Sequence, residues 1–341
     1  MDEIVISTKD NKQLVYLPEK CVGCGTCVMV CPKDTLVIGS VGPVARGLVD
    51  KEFIEARPDT CIVCGMCSKV CPTGALEIRV DGKPAMDEAF LSVAIKPTTV
   101  NEDCVHCGLC EAVCPQGCIE VTQKFATDGS TSIEGETIID QDHCVHCGWC
   151  EAVCPTDAIT VEKPFAGTWS YSDDTCQSCG ACMDVCPCNA IFNPEWGVGE
   201  RVDKLAQRQD ACIYCGACAV ACPVNAIDVK KTAIVAEMAK KNVFEKKLVD
   251  KTSADPVLTS TLMTDEGACL GCGNCVIVCP VNANSNKELA AGSLNDVNEK
   301  AVLEVENGVV KIVDQDACGS CGTCAMICPT SAIWLETREV V

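Results

Sequence analysis

Aromatic side chains are scarce: Phe, Trp and Tyr make up 4% of the 341 residues. With so few large side chains, no segment of roughly 80 residues can build a self-sufficient apolar core, so something besides packing must hold the fold. Histidine is rarer still, at three residues. No apolar stretch approaches the roughly 20 residues a membrane-spanning helix requires. The opening MDEIVISTKDNKQ carries acidic residues from position 2 and has no apolar secretory segment, so a cytoplasmic, reducing location is expected. Basic residues are outnumbered, 27 Lys and Arg against 48 Asp and Glu, giving a formal charge of −21 that disfavours nucleic acid and anionic membranes as partners. Dinucleotide-binding GxGxxG, Walker and nucleophile-elbow motifs are also missing, so no catalytic centre is expected.

Cysteine is what the chain has in excess, with 34 residues. The spacing CxxCxxCxxxCP occurs eight times, starting at Cys21, Cys61, Cys104, Cys144, Cys176, Cys212, Cys269 and Cys318, and accounts for 32 of them. Runs three and four, CVHCGLCEAVCP and CVHCGWCEAVCP, differ at one position. Structural zinc takes two CxxC pairs separated by a dozen or more residues, whereas three cysteines within seven residues, a fourth four positions on and then proline is the bacterial [4Fe-4S] spacing. In that arrangement three cysteines hold one cubane cluster and the fourth reaches a neighbouring one. Glycine follows the second cysteine of every run, at Gly25, Gly65, Gly108, Gly148, Gly180, Gly216, Gly273 and Gly322. Lacking a Cβ, it allows a tight turn that brings backbone N–H groups near the sulfurs. The third and fourth cysteines stand one helical turn apart, which sets the centres of two clusters on the order of 10 Å from each other. Eight oxidised all-thiolate clusters would deepen the negative charge by about 16.

Between the runs lie short strand-like pieces, TLVIG at 35–39, ALEIRV at 75–80 and AITVE at 158–162, alternating with polar turns. The chain resembles four bacterial-type 2[4Fe-4S] ferredoxin modules in series, an α+β arrangement of short strands and helices around cubane clusters. The expected modules are 1–82, 83–165, 166–232 and 233–341, the last with an extra helical linker (233–266) and an insertion (285–313). Tandem pairing assigns Cys21, Cys24, Cys27 and Cys71 to the first cluster and Cys61, Cys64, Cys67 and Cys31 to the second. Cys104, Cys107, Cys110 and Cys154 then hold the third, and Cys144, Cys147, Cys150 and Cys114 the fourth. Cys176, Cys179, Cys182 and Cys222 hold the fifth, and Cys212, Cys215, Cys218 and Cys186 the sixth. Cys269, Cys272, Cys275 and Cys328 hold the seventh, and Cys318, Cys321, Cys324 and Cys279 the eighth. Offsets of 40 residues within the first two pairs favour this scheme, but the shortest offset, 32, separates runs four and five and leaves a nested arrangement open.

Residues 231–248 read as a helix with Ile234, Val235, Met238 and Leu248 broadly on one side and Lys231, Lys240, Lys241, Lys246 and Lys247 elsewhere, packed on a neighbouring module with a solvated charged face, with docking to an acidic subunit as the alternative. Residues 287–313 suggest a short helix followed by a hairpin, VLEVENGVVKIV, turning at Asn307 and Gly308. His106 and His146 hold equivalent places in runs three and four; they read as surface residues, with coupling of electron uptake to protonation as the alternative. His143 has no assigned role. Cys118 and Cys188 are left over and read as small buried hydrophobes, with a substitute ligand as the alternative.

Eight runs in about 340 residues resemble a polyferredoxin, and their number and the chain length are similar to those of the polyferredoxin subunits of formylmethanofuran dehydrogenases in methanogens. The resemblance implies a non-catalytic electron-transfer subunit carrying eight [4Fe-4S] clusters. It implies partners bearing tungsten- or molybdenum-metallopterin, a small ferredoxin-type subunit, and an upstream hydrogenase or heterodisulfide reductase. Two other readings stay open: a polyferredoxin of a hydrogenase or heterodisulfide reductase, and a freely diffusing electron store.

Overall fold

A four- or five-residue helix starts directly after the glycine of each run. These are α1 (Thr26–Val30), and, after a separate helix α2 (Val41–Ala45), α3 (Met66–Lys69), α4 (Leu109–Val113), α5 (Trp149–Ala152), α6 (Ala181–Asp184) and α7 (Ala217–Ala221). The seventh and eighth runs give α8 (Asn274–Ile277) and α10 (Thr323–Ile327), with α9 (Pro280–Ser285) between them. The structure, a computed structural model, describes residues 3–85, 96–125, 133–195, 197, 203–234, 259–285 and 301–338. Helices this short do not persist alone. They pack in antiparallel-sheet-flanked pairs, α1 on α3, α4 on α5, α6 on α7 and α8 on α10.

The strands repeat one scheme around each pair. An outer antiparallel pair joins the strand before the first run to the strand after the second: Lys12–Tyr16 with Leu76–Val80, Thr99–Val100 with Ile159–Thr160, Phe165–Tyr171 with Ile227–Ile234, and Ser260–Thr264 with Ile333–Thr337. An inner pair lies between the runs: Leu36–Ile38 with Ile54–Ala56, Ile119–Phe125 with Ile133–Ile139, Ile191–Phe192 with Ala206–Gln207, and Leu303–Glu306 with Val309–Ile312. Ile4–Lys9 and Lys83–Pro84 extend the first outer pair to four strands. Repeated ferredoxin units of small strands and helices therefore account for the architecture.

The expected helix over 231–248 begins instead as strand: residues 231–234 finish Ile227–Ile234, with Ile227, Val229 and Lys231 buried on one face. Its remainder, with Val235, Met238, Lys240, Lys241, Lys246, Lys247 and Leu248, lies outside the described residues. The helical linker expected over 233–266 is overturned at its far end, where Ser260–Thr264 is a strand. The hairpin turns at Asn307 (φ 51°) and Gly308 (φ 81°), two left-handed residues of the kind a two-residue hairpin turn needs. The short helix expected before it falls on 286–300, outside the described residues.

Spatial order departs from chain order. One core mixes Cys24, Met29 and Val41 with Val145 and Cys147 and with Phe165, Ala190, Ile213 and Val229, so the units built on runs one and two and on runs three and four both close onto that of runs five and six. Ser40 and Thr259 exchange reciprocal bonds of 3.0 Å across 219 residues, each backbone N–H donating to the other's hydroxyl. Among the described residues no helix is long and apolar enough to cross a membrane.

Candidate iron-sulfur centres

Two left-handed residues shape every cysteine loop. The residue before the second cysteine has φ between 49° and 66° whatever its type: Gly23, Val63, His106, His146, Ser178, Tyr214, Gly271 and Ser320. The glycine after that cysteine follows with φ between 68° and 93°. Successive residues of this kind turn their N–H groups into one concavity, an anion-binding nest. The residue before the second cysteine donates to the first sulfur at 3.3–3.4 Å, as Val63 to Cys61, Tyr214 to Cys212, Gly271 to Cys269 and Ser320 to Cys318. A third donor serves the fourth cysteine: Thr35 to Cys31, Ala75 to Cys71, Ala158 to Cys154, Ala190 to Cys186, Ala226 to Cys222 and Ala332 to Cys328, at 3.1–3.3 Å. Run seven departs from this pattern, since α9 follows Cys279 directly and Asn282 is buried there, bonded to the Leu303 carbonyl at 2.7 Å.

The cysteines converge from two runs at a time. One cavity is lined by Cys61, Cys64 and Cys67 with Cys31, and another by Cys144, Cys147 and Cys150 with Cys114. Cys269, Cys272 and Cys275 meet Cys328 around a third, and Cys318, Cys321 and Cys324 meet Cys279 around a fourth. Cys71 faces Cys21, Cys24 and Cys27. Cys222 faces Cys176, Cys179 and Cys182, and Cys186 faces Cys212, Cys215 and Cys218. Cys154 packs in the core that holds Cys110, while Cys104 and Cys107 stand on the loop before α4.

Tetrahedral zinc–thiolate bonds of about 2.3 Å would draw sulfurs to within about 3.8 Å of one another. Among the described residues no three Cys, His, Asp or Glu side chains gather closely enough to hold a single ion. Cavities ringed by four sulfurs from two runs and by inward N–H groups fit a multi-iron cluster. Two buried donors without a nitrogen or oxygen partner point the same way: the Tyr16 hydroxyl faces Cys21 and the Gln207 amide faces Cys212.

Burial pushes Cys21 up to about 12 and Cys27 well above the ordinary thiol range, and it does the same to Cys150, to about 12. Loading these sites with iron therefore has to release protons. Five cysteines run against the trend: Cys114, Cys144, Cys147, Cys154 and Cys328. A thiol bond from Cys118, whose Sγ is 3.5 Å from that of Cys114, holds Cys114 down to about 6 and Cys144 down to about 5. Cys118 itself is held well above the usual range by bonding to those two, and Cys188 by bonding to Cys147, which is lowered in turn. Both left-over cysteines are buried, as expected, but both stand against one set, Cys144, Cys147, Cys150 and Cys114. Spacing alone carries no signal of that convergence.

His146 is buried at 7% exposure, which corrects its reading as a surface residue, and its Nδ1 lies 3.4 Å from the Thr98 hydroxyl. That hydroxyl is 3.5 Å from Cys144 Sγ. His106 repeats the relay, with Nδ1 3.0 Å from Thr137 and Thr137 3.5 Å from Cys104. His143 pairs at the surface with Asp140 at 2.7 Å.

The sequence pattern of the 4Fe-4S dicluster domain matches residues 20–75, 60–118, 103–158, 143–190 and 211–283, and a second pattern of the same description matches 268–333. The chain is 41% identical over 51 residues to a subunit of the tungsten-containing formylmethanofuran dehydrogenase 2 of Methanopyrus kandleri, a stretch that is 15% of this chain and 65% of that protein. It is 49% identical over 45 residues to the polyferredoxin protein FwdG of Methanocaldococcus jannaschii, covering 13% of this chain and 52% of the relative. The chain thus spans less than two thirds of the length of either relative. A chain of the formate dehydrogenase–heterodisulfide reductase–formylmethanofuran dehydrogenase complex from Methanospirillum hungatei is similar in structure, with a TM-score of 0.59 and 29% identity, over 72% of this chain and 87% of that one. With those patterns covering well over half its length, the chain belongs to the 4Fe-4S dicluster ferredoxin family and is an iron-sulfur protein of the polyferredoxin kind.

Proposed function

We propose that this protein carries eight [4Fe-4S] clusters in four two-cluster modules, with the 32 ligands paired in tandem, and conducts low-potential electrons to or from a formylmethanofuran dehydrogenase active site in the cytoplasm. The observation that carries this reading is the recurrence of one arrangement: three cysteines of one run and the fourth of its neighbour around a single cavity, with backbone N–H groups aimed at the sulfurs. When bound, each cluster accepts and returns one electron, with a potential around −400 mV for all-thiolate ligation in ferredoxins of this type. The chain's own residues hold the thiolates, exclude water and supply the sulfur-directed donors that set how easily each site is reduced. Metallopterin subunits bearing tungsten or molybdenum are the proposed acceptors. A small ferredoxin-type subunit and a heterodisulfide reductase or hydrogenase complete the assembly.

Packing between units supports conduction rather than storage. Cys24 faces Cys215, Cys147 faces Cys188, and Cys179 faces Cys321, so the unit of runs five and six adjoins each of the others through cysteine-bearing loops. Exposed Cys64, Cys107 and Cys272 bring three of the sets to the surface. The test is anaerobic purification with iron, sulfide and co-purifying metal analysis. About 32 iron and 32 sulfide per chain, travelling with tungsten or molybdenum, is expected. Stoichiometric zinc would overturn the cluster assignment, nickel in place of tungsten or molybdenum would assign the protein to a hydrogenase, and an iron-replete chain that travels alone would make it a store.

A further inference from the structure

The Lys231 side chain is 1% exposed, deep within the core that joins the unit of runs one and two to that of runs five and six. Its strand, Ile227–Ile234, alternates buried and outward residues, and Lys231 takes the buried face where Ile227 and Val229 precede it. The ammonium donates to the Cys215 carbonyl at 2.9 Å and lies 5.3 Å from the centre of the Phe165 ring. Among the described residues no carboxylate pairs with it; the Asp228 carboxylate on the outward face pairs with Lys230 instead, at 3.3 Å. A buried cation with one carbonyl and one aromatic ring for company is costly unless an anion balances it. The sulfurs that face it, negatively charged once they hold a cluster, are those of Cys24, Cys215 and Cys218, from two different runs.

We infer that Lys231 is the counter-charge shared by two cluster sites, that of Cys21, Cys24, Cys27 and Cys71 and that of Cys212, Cys215, Cys218 and Cys186, and that it makes both easier to reduce. The inference rests on the ligand sets proposed above. A fixed positive charge close to a site in a low-dielectric interior favours the state holding one more electron. Reduction here adds one electron to each site, with no bond made or broken. The same two sites also face the Tyr16 hydroxyl, at Cys21, and the Gln207 amide, at Cys212, donors that act in the same direction.

The experiment is an EPR-monitored redox titration of the iron-loaded full chain, comparing the native protein with Lys231→Met and Lys231→Arg. In Lys231→Met the reduction equilibrium at two of the sites is expected to fall about tenfold, which is about 59 mV for a one-electron couple, with the other sites unmoved; Lys231→Arg keeps the native values. An iron-replete Lys231→Met with native potentials overturns the inference. If Lys231→Met loses iron, retention in Lys231→Arg supports the role of charge, and loss in both shows that side-chain shape is what matters and overturns it. A native chain short of about 32 iron defeats the ligand assignment instead, so the two failures are distinguishable.

Discussion

The Arg46 guanidinium donates through Nη1 to the carbonyl of Cys321, 2.7 Å away and 275 residues further along the chain. From the same group Nη2 reaches the Cys179 carbonyl at 2.9 Å and Nε reaches Asp184 at 2.7 Å. One side chain, 3% exposed, thus ties the cysteine loops of runs five and eight to the C-terminal end of α2.

Replacing Arg46 by Met leaves the buried Cys321 carbonyl without its donor and the Cys179 carbonyl with only the Thr323 hydroxyl, 3.4 Å away. The expected cost is about 3 kcal/mol, at the lower end for a broken buried charge network because Asp184 is partly solvated. Anaerobic denaturant titration followed by cluster absorbance measures it. Arg46→Lys should recover only part, since an ammonium cannot span three acceptors in a planar fork. A native midpoint in Arg46→Met would show that the junction is held elsewhere.

Cys71 faces Cys21, Cys24 and Cys27 from the far end of the neighbouring run. In Cys71→Ala iron should fall by up to about four of about 32, with the losses confined to the site of run one. Cys31→Ala should strike the site of Cys61, Cys64 and Cys67 instead, because Cys31 lines that cavity. Identical EPR changes in the two variants would contradict the crossed arrangement.

The cysteine runs are legible in the sequence because ligand spacing is dictated by the cluster and hence written locally. The strands at 36–38 and 76–80 are legible for a similar reason, a short apolar run in the first and an alternating one in the second, each between turns. Left-handed backbone at Val63, His106 and Tyr214 is not, since closure of the loop imposes it on residues that do not favour it. Around Lys231 a run of lysines suggests a solvated helix and hides the strand. The alternation of Ile227, Val229 and Lys231 on one face, with Asp228 and Lys230 on the other, is the signal that gives the strand away. Adjacency of runs one and six, or five and eight, depends on contacts across more than a hundred residues, which spacing does not encode.

Gly271 tests the loop geometry. It has φ +63°, and a Cβ built there would come within 2.1 Å of the Gly308 carbonyl oxygen, backbone against backbone. Gly271→Ala should therefore displace the hairpin from the loop and cost iron at the site of Cys269, Cys272 and Cys275. Gly308→Ala, at φ +81° with open space around it, should cost only the left-handed penalty of about 1–2 kcal/mol and keep its iron. Equal iron in both variants would mean the close approach is not a constraint.

Cys118 and Cys188 come from different units yet bond to one set of ligand cysteines, Cys118 to Cys114 and Cys144, Cys188 to Cys147. A thiol that donates to a ligand sulfur withdraws electron density and stabilises the reduced site, so removing it should lower the potential. Each such bond is worth about 1 kcal/mol net, which corresponds to a shift on the order of tens of mV for one electron. Cys118→Ala and Cys188→Ala should each lower the potential of one and the same site while iron stays complete, and the double variant should lower it further. Cys188→Ser retains a donor and should restore most of the native value, which a packing role would not do. The Trp149 indole, donating to the Cys188 carbonyl at 2.8 Å, holds that loop in place, so Trp149→Phe should loosen the Cys188 contact and produce a smaller shift of the same sign. Shifts at two different sites, or loss of iron in place of a shift, would show that the two thiols are ligands or fillers rather than donors to a shared centre.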